Sequence, residues 1–122
     1  MDERDMAKTL GWLRVGLGSA LFLAPRTFSR LWLGDRHLDP SAHLAMRSLG
    51  ARDLVLGAGL LIAMERGTPV RGWVEAGAAV DIADVLTSLR EWDEFPHWRI
   101  LATLASAGAA AAVGIRIAPA VD

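Results

Sequence analysis

Arg52 and Asp53 stand side by side in LGARDLVLGAGLL (residues 49–61), and Asp81 and Asp84 stand three apart in VDIADVL (residues 80–86). Carboxylates beside arginines can lock helices in register as buried ion pairs. They can also carry a proton or a cation through water-poor surroundings. Either use needs helices that bring the charges onto facing stripes, and the spacing supplies them. Gly77, Asp81, Asp84 and Ser88 recur at helical intervals, and the opposite side is Val80, Ile82, Val85 and Leu89. Ser48, Arg52 and Gly59 line one side of the preceding segment, with Gly50, Asp53 and Gly57 on the adjacent one. Gly11, Arg14 and Gly18 share a face further upstream. Such stripes turn inward, because small residues let helices approach and charges need partners. The expected network pairs Arg52, helped by Arg14 or Arg47, with Asp81 and Asp84, while Asp53 lies near the cluster or at a helix end. Gly50, Gly57, Gly77 and Gly108 are expected at helix contacts, Gly108 within the small-residue strip Ala105, Gly108, Ala109 and Ala112.

Four apolar segments carry these residues, at about 6–24, 41–64, 70–91 and 97–117. Pro25, Gly67 with Pro69, and Pro96 separate them, and Asp39 or Ser41 with Pro40 opens the second. Each is long enough to cross a hydrocarbon core of about 30 Å at 1.5 Å per residue. Only the fourth is free of charge over that length, between 100 and 115. The second and third would enter a bilayer only with their charges paired. Between the first and second, PRTFSRLWLGDRHLDP (residues 25–40) sets Phe28, Leu31 and Trp32 at helical spacing and leaves Arg26, Arg30 and Arg36 for water or lipid phosphate. That is the pattern of an interfacial amphipathic helix. The expectation is a single domain over 1–122: an all-α, four-helix transmembrane bundle with a short interfacial segment between its first two helices.

Composition fits helices and excludes several functions. The 122 residues are 52% hydrophobic but 7% aromatic, with mean hydropathy +0.30. Ala, Leu, Val and Gly dominate, and strands prefer β-branched and aromatic residues. Thirteen basic and 14 acidic side chains nearly cancel, so no nucleic-acid partner is expected. The absence of cysteine removes disulfides, thiolate nucleophiles and Cys-ligated metals. MDERDMAK is acidic, unlike the start of a secretory signal, so the first apolar segment is expected to be retained. His37 with Asp35 and Asp39 matches no zinc spacing, and GLGSAL and GAGLLI lack the third glycine of a dinucleotide loop. No metal site, cofactor or catalytic residue is expected.

The order of features, APR (24–26), RSLGARDLVLGAGLL (47–61) and VDIADVL (80–86), resembles a family of small bacterial four-helix membrane proteins of uncharacterised function. In that family a Gly-Ala-Arg-acidic motif and an Asp-x-x-Asp motif recur together, and some members are fused to a polyketide cyclase/dehydrase-like lipid-binding domain. The chain is also distantly similar to DoxX-like membrane proteins. The resemblance covers about residues 10–115 and implies a multi-pass location in the cell membrane. It assigns the polar positions to Arg52, Asp53, Asp81 and Asp84, with Gly50 and Gly57 beside them. This chain departs in EAGAAVD (75–81), where family members often carry an arginine and a Gly-Asp step. Its carboxylates must be neutralised from other helices, or one must stay protonated. A lipid bilayer is the expected partner, with a second copy or another membrane protein as further candidates. The function expected is that of a scaffold or accessory subunit. The alternatives are a proton- or cation-coupled transporter using Asp81 and Asp84, and a soluble helical interaction protein.

Overall fold

A computed structural model describes residues 1–33, 39–94 and 97–122. Asp35, Arg36, His37 and Pro96 lie outside the described residues, as does the side chain of Trp32. The described chain is all-helical and contains no strand, with five α-helices where a four-helix bundle was expected. Four are long: α1 (Glu3–Leu23), α3 (Pro40–Glu65), α4 (Arg71–Arg90) and α5 (His97–Ile117). The fifth, α2 (Pro25–Leu33), falls in the stretch read as a short amphipathic segment, and a 3₁₀ turn, Ala118–Ala120, follows α5.

Local chemistry sets the helix ends. Asp2 caps α1 through a capping box: its carboxylate accepts from the Asp5 N–H at 2.8 Å, while its own N–H donates to Asp5 at 3.4 Å. Pro25 ends α1 by disfavouring helical geometry at Ala24. Asp39 caps α3 by accepting from the Ala42 N–H at 2.7 Å, with Pro40 in the first turn. Gly67, at φ 65°, turns the chain after α3 as only glycine does readily. The start of α4 has no cap of its own, and the Asp122 carboxylate supplies one from 52 residues away. It accepts from the Val70 N–H at 2.7 Å and the Arg71 N–H at 3.2 Å.

The long helices associate as two pairs, α1 with α3 and α4 with α5, and contacts between the pairs are much sparser. Glycines build the first pair. A Cβ on Gly18 would lie 2.6 Å from the Gly50 carbonyl oxygen, and one on Gly57 would lie 2.6 Å from that of Gly11. Glycines seven apart on each helix therefore meet in reverse order, and the two backbones touch. At one end of the bundle Ala7, Leu60, Ala63, Val70, Val74 and Ile117 form a small apolar core. The outer surfaces are apolar as well: Trp12, Leu13, Val55, Leu86 and Ile115 are all exposed.

Among the described residues one helix, His97–Ala120, is long and apolar enough to cross a membrane, so length and composition do not support the expected four spans. The charges in the other three long helices are the reason. In α2, Pro25 and Ser29 are buried while Arg26, Arg30 and Leu31 are exposed.

Candidate functional site

The charged residues converge at mid-height of the bundle. Arg14 is near the centre of α1, Arg52 and Asp53 are at the centre of α3, and Asp81 is at that of α4, with Asp84 about one turn on. At 1.5 Å per residue this puts Arg14 roughly 15 Å from either end of its helix.

Arg14 is the hub. Its Nη1 donates to Asp53 Oδ1 at 3.1 Å and its Nη2 donates to Asp81 Oδ2, so one guanidinium on α1 joins carboxylates on α3 and α4. Arg52 forms a two-pronged pair with Asp84, Nη1 to Oδ1 at 3.1 Å and Nη2 to Oδ2 at 2.8 Å. Its Nη2 also lies 3.8 Å from Asp53 Oδ1, which links the two halves. The planar arginine fork suits both arrangements. Asp53 and Asp81 are buried, at 7% and 5% exposure, and the outer pair is more open, with the Arg52 and Asp84 side chains near 30%.

Glycines make room for the hub. A Cβ on Gly77 would stand 2.9 Å from Arg14 Nη2, so any side chain there would displace the guanidinium. A Cβ on Gly57 would meet the Arg14 Cβ at 2.9 Å. Beside Arg14, a void lined by Leu10, Leu56, Leu60 and Trp73 offers about 10 Å³ to the centre of a water molecule. That is room for about one water, and not for a substrate. A larger groove of about 640 Å³ runs over the outer face of α1 beside Lys8 and Trp12, and none of the paired arginines and aspartates lines it.

The arrangement differs from the expected one in three respects. Asp81 pairs with Arg14 and not with Arg52, because Arg14 enters between α3 and α4 where Gly77 leaves space. Arg47 is not in the network: it is exposed on α3, with its guanidinium 5.8 Å from the Phe22 ring centre. Gly108 meets no neighbouring helix, since a Cβ there would find nothing within 4 Å. The contact of α5 with α4 runs instead through Gly114, where a Cβ would stand 3.1 Å from the Ala78 Cβ. Gly50, Gly57 and Gly77 do sit at close approaches.

Two features escaped the sequence reading. One is the Asp122 cap on α4, which no local pattern announces. The other is the seat of Trp73 against Gly59, where a Cβ would overlap the ring at 2.3 Å. An aromatic near the start of one helix and a glycine near the end of the previous one were the available signal.

Chemically, the site contains two guanidiniums and three carboxylates, no nucleophile and no open substrate cavity. Among the described residues no group of His, Asp and Glu is arranged to hold a metal. It can fix helix register, and it can exchange a proton. No family model, curated protein or solved structure matches the chain.

Proposed function

We propose that this chain is a membrane-embedded helical bundle that serves as a scaffold or accessory subunit, with the Arg14/Arg52 network clasping its two helix pairs. One observation carries the reading: the polarity is inverted. Asp53 and Asp81 are buried at mid-height while Trp12, Leu13, Val55 and Leu86, each near 60% exposed, cover the outside. Lipid accommodates such an exterior, and water does not favour apolar faces this extensive.

Pairing makes α1, α3 and α4 compatible with a bilayer although none of them is apolar enough to cross one alone. Each buried charge in them meets an opposite one on another helix, so the bundle enters lipid as a unit. Kinship with the small four-helix membrane proteins that share its two motifs is part of the proposal, as are the multi-pass location and the interfacial role of α2. A second reading, a proton- or cation-coupled carrier, draws support from the graded exposure between Asp81 and Asp84.

The absence of cysteine permits a direct test by single substitutions. Val55→Cys and Ile82→Cys, at mid-height and facing outward, are expected to resist a water-soluble maleimide supplied to both sides of lipid vesicles. Thr68→Cys and Glu91→Cys, beyond the helix ends, are expected to react. Equal labelling of Val55→Cys and Thr68→Cys would refute the membrane reading.

A further inference from the structure

We propose that Asp53 and Asp81, bridged by Arg14, hold one proton between them at neutral pH, which makes the triad a buried proton-binding site. The inference rests on the membrane reading, because only a water-poor surround forbids a surplus charge. Stoichiometry and geometry carry it. Arg52 spends both prongs on Asp84, and that pair is neutral. Arg14 is left with two carboxylates and one positive charge, so the triad is one negative charge in excess. Two carboxylates that share a site do not both ionise readily.

No other described group offers the missing cation. On α1 the remaining charges, Arg4, Asp5 and Lys8 among them, lie in its first two turns. On α3, His43 and Arg47 lie toward the start and Glu65 at the end, and Arg47 is turned to Phe22. On α4, Glu75 pairs with Arg71 at the surface. Beside α4 and the void at Arg14 α5 brings Ala110 and Gly114, and its His97, Arg99 and Arg116 are near its ends. The cations of α2 are exposed at the far end of α1.

Binding needs no co-reactant: a proton from water adds to one carboxylate oxygen to give a carboxylic acid. Its location has a mechanical consequence. A proton on Asp53 leaves Arg14 clamped to α4 through Asp81, and a proton on Asp81 leaves it clamped to α3. Proton transfer within the triad therefore shifts the hub's grip from one helix pair to the other. The half-open Arg52–Asp84 pair is the side from which water reaches it.

Infrared spectroscopy of the full chain in lipid vesicles at neutral pH tests the site. The expected spectrum contains the carbonyl stretch of one protonated carboxyl group per chain, shifted when the vesicles are exchanged into D₂O. The band is expected to disappear in Asp53→Asn or Asp81→Asn and to persist in the Arg52→Gln/Asp84→Asn double variant, which removes the neutral pair whole and leaves the triad's surplus charge in place. Wild-type protein without the band overturns the proposal whatever the variants do, and a band that vanishes in the double variant but survives in Asp53→Asn or Asp81→Asn overturns the assignment. A carbonate wash of the same vesicles separates the two ideas. Protein retained without the band defeats the proton site alone, and protein released into buffer defeats the membrane reading on which it rests.

Discussion

A single methyl group at Gly50 tests how α1 and α3 are joined. A Cβ there would lie 2.6 Å from the Phe22 amide nitrogen and 2.7 Å from the Gly18 carbonyl oxygen. Ordinary contact begins at 3.4 Å, so α1 must retreat by about 0.8 Å, and both obstacles are backbone that cannot rotate away. Overpacking of this kind costs about 1–3 kcal/mol. Gly→Ala inside a helix also gains about 1 kcal/mol of propensity, which would mask part of the loss. Gly108→Ala supplies the correction: it is the same change in a helix interior, in open space. The difference between the two variants isolates the strain, and Gly50→Ala is expected to be the less stable by about 1–3 kcal/mol. The assay is reversible unfolding in mixed detergent micelles followed by far-ultraviolet circular dichroism. Equal stabilities would refute backbone contact between α1 and α3.

The other consequences concern charges and caps. Arg14→Leu strands two buried carboxylates and is expected to cost about 3–5 kcal/mol in the same unfolding assay. Arg52→Leu, at a pair near 30% exposed, is expected to cost only about 1 kcal/mol. Asp122→Ala removes the acceptor for the Val70 and Arg71 amides and is expected to cost about 1 kcal/mol, with Asp122→Asn closer to wild type. The Asp5 amide beside the Asp2 carboxylate holds that group below its ordinary range. A depressed carboxylate stabilises the folded helix above its unfolded value, and the contribution disappears as pH falls through the folded one. The Asp5 amide resonance is therefore expected to hold steady down to about pH 4 and to move only below it, an effect that Asp2→Asn abolishes.

The helices were legible because their boundaries are written locally. Asp39 with Pro40, Gly67, and the proline after Ala24 place the ends to within a few residues, and α5 falls on its expected range. The charged stripes were legible for the same reason, since periodicity alone puts Asp81 beside Gly77 and Asp53 between Gly50 and Gly57. Pairing was not. Whether Arg14 or Arg52 takes Asp81 depends on how far one helix slides and turns against another, and the space beneath Gly77 that admits Arg14 exists only after packing. Arg47 was within reach of a stricter reading, because it lies about 120° around the helix from Asp53. Gly108 misled because small residues mark a contact only where a partner helix passes, and α5 meets α4 on its other side, at Gly114. The Asp122 cap joins residues too distant for any local pattern.

The central claim is that paired charges inside hold an apolar-surfaced bundle in a membrane. Fractionation tests it most directly: membranes containing wild type or Asp81→Ala are washed with carbonate and then extracted with detergent. Wild type is expected to resist carbonate and enter the detergent extract, while Asp81→Ala, which loses the hydrogen bond tying α1 to α4, is expected to accumulate less. Wild type released into the carbonate wash would contradict the account.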